Sequence, residues 1–300
     1  MITVVGSLNY DFIVHVERFP QPGETLHGGD VIGACGGKGA NQAYAAARLG
    51  GQVSLIGCVG RDAHGDTMLQ NLTQVGVNVA PIIRRSGTSS GLAMILVDTH
   101  GQNQIIVARG ANLTLTVADV DAQAHLLKSS RIVVAQFEVA AAVTWRALEL
   151  AHAAGATTVL TPAPYEAFDP VLLRHVTWLM VNEVEAGQVS GVPVTDISSA
   201  ERSAQGILAL GAANTVVTLG PQGAWVESES WRGHMPAPVV QAVDTVGAGD
   251  CFTGAFVARL HAGATVRDAA RFACGAAAIS VTRNGAQPSV PSLAEIDLGA

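Results

Sequence analysis

Short apolar runs recur along this chain and alternate with longer, Ala-rich stretches. Residues 2–8 read as a buried strand, and residues 11–16 continue extended until Pro20, Pro22 and Gly23 mark a turn. Residues 40–49 predict a helix closed by Gly50 and Gly51. Residues 52–59 form the next predicted strand, and 66–75 a helix ended by Gly76. Leu92, Met94 and Leu96 recur at period two within residues 91–98, and 105–108 is short and extended. These two stretches are candidates for a small antiparallel sheet. So small a sheet cannot bury both faces alone. With residues near 10–35 it reads as a lid, spanning about 10–35 and 88–110, over the main domain or against another subunit.

From Arg131 the alternation is regular. Strands at 132–135, 157–160, 176–181 and 215–219 are interleaved with helices at 139–153 and 200–210. That order predicts an α/β fold, a mostly parallel sheet covered by helices on both faces. Two helices close the chain, at 248–261 and 266–281. The second sets Ala269, Ala270, Ala273, Ala277 and Val281 toward one side, where small residues allow close approach of a neighbour.

Composition narrows the class. A chain of 300 residues without a long linker or repeat fits one domain, 1–300. With 49% hydrophobic and 14% charged residues, it has the means to build a core and lacks the signature of disorder. The net charge is −7 with no basic stripe, which argues against a nucleic-acid partner. No stretch predicts a membrane span, and the N-terminus lacks a basic leader. Cys35, Cys58, Cys251 and Cys274 form no C-x-x-C pair and read as buried thiols of a reducing, cytoplasmic compartment.

The strongest chemical signal is Asp244-Thr245-Val246-Gly247-Ala248-Gly249-Asp250, at the start of a helix. Free amides of a first helical turn, with the helix dipole, favour an anion. A carboxylate there competes with that anion unless it has a task, such as taking the proton of a hydroxyl during phosphoryl transfer. The bland alternative is a glycine-rich cap with Asp250 favourable in the first turn. Gly36-Gly37-Lys38-Gly39-Ala40-Asn41 is neither a Walker loop nor a dinucleotide fingerprint. Lys38 offers charge to a phosphate and Asn41 an amide to a hydroxyl, or the segment is a plain turn. Asn9 and Asp11 follow the first strand, and Glu138 the strand at 132–135, where open parallel sheets bind ligands. Each is equally readable as an Asx turn or a helix-start carboxylate. Thr218, Gly220 and Gly223 follow another strand and either pack against a nucleotide or turn the chain. Asn182 and Glu185 could order Mg²⁺ through water. The histidines show no metal spacing and the tryptophans no nucleic-acid pattern.

These motifs resemble the PfkB-type carbohydrate kinase family over nearly the whole chain. GGKGANQAYAAARLGGQVSLIGCVGRD (36–62) looks like its N-terminal signature and DTVGAGDCFTGAF (244–256) like its C-terminal one. SLNYD (7–11) and VTRNGAQPSVP (281–291) narrow the likeness to members that phosphorylate ribose. The resemblance implies a central mostly parallel sheet with a β lid. It also implies transfer from ATP to the 5-hydroxyl of D-ribose, giving ribose 5-phosphate and ADP. Asp250 would be the base and Gly247, Ala248 and Gly249 the anion hole. Asn9, Asp11, Gly37, Lys38, Asn41 and Glu138 would hold the sugar. Asn182, Glu185, Thr218, Gly220 and Gly223 would lie toward the nucleotide or its Mg²⁺. Asp244, Val246, Ser280, Arg283, Gly285 and Ser289 match an activating K⁺ site, several through carbonyls. A homodimer through the lid is implied, fitting Leu92, Met94 and Leu96. Three departures stand out: Thr161 where the family often has Asn, Val181 where it often has Pro, and Cys274 near the adenine region. The rivals are a kinase of deoxyribose, another pentose or a nucleoside, and a non-catalytic sugar-binding regulator.

Overall fold

Val4 and Val5 point to opposite faces of one strand, yet both are fully buried. A strand in that position needs cover on both sides, and the chain supplies it. The structure, a computed structural model, describes residues 1–296; the last four residues of the expected 1–300 domain lie outside the described residues. Its strands are β1 (Ile2–Val5), β2 (Asn9–His15), β3 (Val31–Gly36), β4 (Val53–Ile56), β5 (Cys58–Gly60), β6 (Ile83–Arg85), β7 (Gly91–Val97), β8 (Asn103–Ala108), β9 (Ile132–Gln136), β10 (Thr157–Thr161), β11 (Trp178–Asn182), β12 (Asn214–Thr218), β13 (Ala224–Glu227) and β14 (Arg232–Met235). Its helices are α1 (Lys38–Arg48), α2 (Ala63–Gln74), α3 (Val117–Ala122), α4 (Ala124–Ser129), α5 (Ala141–Ala153), α6 (Glu183–Ser190), α7 (Ile197–Ala209), α8 (Ala248–His261) and α9 (Val266–Ser280).

The main sheet runs β14-β13-β12-β11-β10-β9-β1-β4. It is parallel from β12 to β4, with β13 and β14 antiparallel at one edge. On one face Val4, Val134 and Val216 share a core with Ala43 of α1, Phe256 of α8 and Ala273 of α9. On the other, Val5 and Val133 pack with Val143 and Ala147 of α5, and Leu179 and Val217 with Ala186 of α6 and Ile207 of α7. From β1 the main sheet is extended first by β4 on one side and later by β9 on the other, so the strand order reverses there. Such a reversal opens a crevice at the carboxyl ends of the strands. β2 leaves β1 at that crevice.

A separate sheet of order β3-β2-β7-β8 stands beside the crevice. It is mixed: β7 and β8 pair antiparallel as expected, β2 pairs antiparallel with β3, and β2 pairs parallel with β7. Two expectations are corrected. The apolar run 52–59 is not one strand, because β5 leaves the main sheet to pair with β6. Helix α5 starts at Ala141, not at 139, which leaves Glu138 in a turn. No helix among the described residues is long and apolar enough to cross a membrane.

Candidate active site

Helix α8 begins at the crevice because Gly247 turns the chain into it. Gly247 has φ 75°, a left-handed conformation that glycine adopts freely. A Cβ at Gly247 would also stand 2.6 Å from the Cβ of Ala286. Past this turn the Ala248 amide donates to the Thr245 carbonyl. Among the described residues the amides of Gly247, Gly249 and Asp250 meet no protein acceptor. The anion hole expected at 247–249 therefore has the Ala248 donor committed to the turn, while Gly249 and Asp250 keep theirs free.

Asp250 is buried, and both carboxylate oxygens accept hydrogen bonds: Oδ2 from Asn41 Nδ2 at 3.0 Å, Oδ1 from Gln42 Nε2 at 2.9 Å. Asn41 thus serves the carboxylate as well as facing the crevice. Helix α1 reaches it because Gly39 lets its first turn press on β1; a Cβ at Gly39 would lie 2.6 Å from the Gly6 carbonyl carbon. Lys38 opens α1, and the charge of Asp250 holds its ammonium above the usual range, aided by Glu138 and Glu185 and opposed by burial. Glu138 Oε2 accepts from Ser7 Oγ and, at 2.9 Å, from the Lys38 amide. These bonds fix the turn after β9 to the start of α1.

Asn9 and Asp11 open β2 on one face of the lid, two residues apart. Asn9 Oδ1 accepts from Asn112 Nδ2 at 2.8 Å, and Asn112 also brackets Leu8 through its amide and carbonyl. Burial pushes the Asp11 carboxyl up to about 6, and the Glu138 charge adds to the effect. A half-buried carboxylate without a donor among the described residues is a group prepared for hydroxyls.

Beside Gly249 lies a cavity of about 520 Å³. Thr218, Gly220, Gly223, Ala248, Gly249 and Cys274 are among the residues that line it. Its lining is mostly apolar, and burial pushes the Cys274 thiol up to about 12, so that group is a neutral wall atom. A cavity of this size and apolar lining suits a planar heterocycle. Asn182 and Glu185 do not line it. They cap α6 reciprocally: the Glu185 amide donates to Asn182 Oδ1 at 2.8 Å, and the Asn182 amide to Glu185 Oε2 at 3.0 Å. Burial raises the Glu185 carboxyl above its usual range, with its own cap and Lys38 opposing.

The residues of the expected cation site fall on two tied loops and, for Ser280, on the last residue of α9. Asp244 Oδ1 accepts from the Val246 amide at 3.0 Å and Oδ2 from the Gly285 amide at 2.8 Å. Ser280 and Ser289 are buried, but their hydroxyls donate to the Ala277 and Ala286 carbonyls. The Arg283 guanidinium turns outward to Glu295. No cluster of three His, Cys, Asp or Glu that could hold a metal occurs among the described residues.

Three buried residues that sequence reasoning passed over complete the site: Gln42, Gln136 and Gln287. The usable signal was a polar residue at the carboxyl end of an apolar strand, which Gln136 is. Gln42 and Gln287 carried no such signal. Residues 237–242, which wall the cavity, have no regular pattern at all.

The pfkB family carbohydrate kinase profile matches residues 1–293. This chain belongs to that family. It is 39% identical over 298 residues to a ribokinase of Staphylococcus aureus, covering 99% of this chain and 98% of the relative. It is 35% identical over 297 residues to a deoxyribokinase of Salmonella typhimurium, covering 99% and 97%. Its fold matches the structure of Arabidopsis thaliana ribokinase complexed with ribose and ATP, with a TM-score of 0.90 and 29% identity over 98% of this chain and 96% of that one.

Proposed function

We propose that the protein phosphorylates D-ribose at its 5-hydroxyl with ATP, releasing ribose 5-phosphate and ADP. One observation carries the reading. The Asp250 carboxylate stands at the free amides of α8, between a polar crevice and an apolar cavity. A sugar in the crevice presents a hydroxyl to Asp250, and a nucleotide in the cavity presents its terminal phosphate to the amides of Gly249 and Asp250. Asn9, Asp11, Asn41 and Glu138 hold the other hydroxyls, with the Gly37 and Lys38 backbone. Asp250 takes the proton as the hydroxyl oxygen attacks, and Lys38 and the free amides hold the charge that develops on the transferred group. The Gly247 and Ala248 units shape the turn that aims those amides.

Thr218, Gly220 and Gly223 contact the nucleotide. Glu185, within electrostatic reach of Lys38 and Asp250, would hold through water an Mg²⁺ that, when bound to the phosphates, would supply neutralising charge. K⁺ suits the oxygen-rich loops joined by Asp244, with carbonyls of Val246, Arg283 and Gly285 and the segments at Ser280 and Ser289 as its surroundings. The second reading is a deoxyribose kinase, favoured by the deoxyribokinase relative. We infer further that the chain forms one kinase domain, that it pairs through its lid, and that its free thiols suit the cytoplasm.

Coupled ADP release across ribose, 2-deoxyribose, other pentoses and nucleosides tests the assignment. Ribose should have the highest kcat/KM, with 2-deoxyribose at least ~10-fold lower. A reversed order assigns the deoxy sugar instead, and no sugar-dependent ADP release with any substrate overturns the kinase reading.

A further inference from the structure

Each oxygen of Asp250 ends a chain of side-chain amides, and each chain runs one way. Gln136 Nε2 donates to Gln42 Oε1 at 2.6 Å, and Gln42 Nε2 donates to Asp250 Oδ1 at 2.9 Å. On the other side Asn71 Nδ2 donates to Gln287 Oε1, Gln287 Nε2 to Asn41 Oδ1 at 3.0 Å, and Asn41 Nδ2 to Asp250 Oδ2 at 3.0 Å. The direction is dictated by the end group. An ionised carboxylate only accepts, so the adjoining amide must turn its NH₂ toward it. Its carbonyl then faces backward, and the next amide must present NH₂ in turn.

The order has a cost at the far end of the first chain. Among the described residues, Gln136 Oε1 is buried without a donor. It lies against Gly6, where a Cβ would take its place. Thr161 pairs with Gln136 in the β9–β10 register, and its hydroxyl lies 3.5 Å from Gln42 Nε2, at the limit of contact. Gln42 and Gln136 are 1% and 0% exposed. Two buried amides with an orphaned oxygen are a poor filling for a core, where an apolar pair of similar size leaves nothing unsatisfied. What they do supply is a fixed direction for Asp250, in surroundings where such bonds are strong.

We propose that Gln42 and Gln136 are positioning residues for phosphoryl transfer. They lock Gln42 with its NH₂ on Asp250 Oδ1, so the carboxylate keeps one plane and its remaining acceptor positions face the sugar hydroxyl. The proposal rests on Asp250 as the base.

The experiment compares Gln136→Glu and Gln136→Met in the full chain, by ADP release with saturating ATP and varied ribose, from pH 6 to 8. Turnover is counted per ribose-binding site. In Q136E the ionised carboxylate cannot donate, so Gln42 turns its carbonyl toward Asp250. At pH 8 kcat of Q136E should fall at least ~10-fold, with KM for ribose within about threefold of the native value. On acidification a buried carboxyl takes up a proton early and can donate again. The ratio of Q136E to native kcat should therefore rise at least about fivefold by pH 6. Asp11, Lys38, Glu138, Glu185 and Asp250 face the site in native and variant alike, so the Q136E ratio is read against that of the uncharged Q136M over the same pH range. Q136M keeps the volume without the donor. It should lose kcat with a pH-independent ratio, and it serves alone if Q136E does not fold. Native kcat in Q136M, or a loss confined to KM, overturns the proposal, as does a Q136E ratio that stays flat. Failure of the underlying reading looks different: Asp250→Asn would then turn over at the native rate.

Discussion

A Cβ placed on Gly254 would stand 2.5 Å from the Cβ of Ala45 and 2.8 Å from the Ala46 amide nitrogen. Helix α8 thus lies on α1 with nothing between the two at this crossing. Both helices carry their polar residues into the same site, Asp250 from one and Asn41 and Gln42 from the other. Gly254→Ala should push α8 away from α1. Overpacking of this kind costs ~1–3 kcal/mol, and the displaced carboxylate should lower kcat more than ribose affinity. Chemical denaturation and steady-state kinetics on the same preparation measure both. A stable variant with native kcat would show that the crossing does not set the site.

Asp250→Asn keeps shape and removes the base. One of its two amide donors must turn to meet the new NH₂, and the amides behind it in that chain must turn with it. Turnover should fall at least ~10², with ribose affinity by calorimetry within a few-fold of native. Equal turnover would take the base role away from Asp250.

Much of this was legible in sequence. The buried runs of β9 to β12 and the glycine-rich turn before Asp250 announced a parallel sheet and a helix start with free amides, because period and composition encode both. What stayed hidden depends on contacts distant in the chain. Gln42 and Asp250 are 208 residues apart, and Gln287 and Asn41 are 246 apart, so spacing could not link them. The hairpin β13–β14 and helices α3, α4 and α6 are short, and their burial comes from neighbours rather than from their own periodicity. Glu185 illustrates the opposite limit: the motif was visible, but only the structure revealed that the residue also caps its own helix.

The Asp11 carboxyl carries a pH signature. Its folded value of about 6 stands above the ordinary 3.8, with burial the first cause and the Glu138 charge the second. Between those two pH values the folded chain holds a proton that the unfolded chain has released. The stability this confers is fully present below 3.8 and lost as pH rises through about 6. Asp11→Asn removes the loss. Its Tm relative to the native chain should be higher at pH 7.5 than at pH 4 by at least ~2 °C, while KM for ribose rises at least ~10-fold. A Tm difference independent of pH would mean that Asp11 titrates normally.

The lid exposes apolar side chains that a monomer has no reason to keep. Met94 and Ile106 face one another across β7 and β8 and are 53% and 70% exposed, with Val31 at 61% on β3. Leu92 and Leu96, expected beside Met94 at the interface, are only partly exposed. A second copy covering this sheet would bury that row. Sedimentation of the native chain should give a dimer, and Met94→Asp with Ile106→Asp a monomer. A native monomer, or a dimer unaffected by both charges, would move the contact elsewhere.

Asp244 gives the cation proposal a test that does not depend on rate alone. Its two oxygens bind one amide from the loop before α8 and one from the loop after α9, beside the backbone bonds of the Val243 and Asp244 amides to the Val281 carbonyl, so this side chain helps to hold the segments that would surround K⁺. A cation that binds only the folded chain raises Tm with its concentration. In KCl the melting temperature should climb above that in Tris chloride at equal ionic strength, and kcat should follow. Asp244→Asn keeps an acceptor for one loop amide but sets an NH₂ against the other. The tie should loosen, and the K⁺-specific part of both responses should shrink, while the response to ionic strength itself stays as in the native chain. Matching curves in potassium, sodium and Tris salts would dismiss a cation site between these loops, and leave Asp244 with the task of bracing the Gly247 turn.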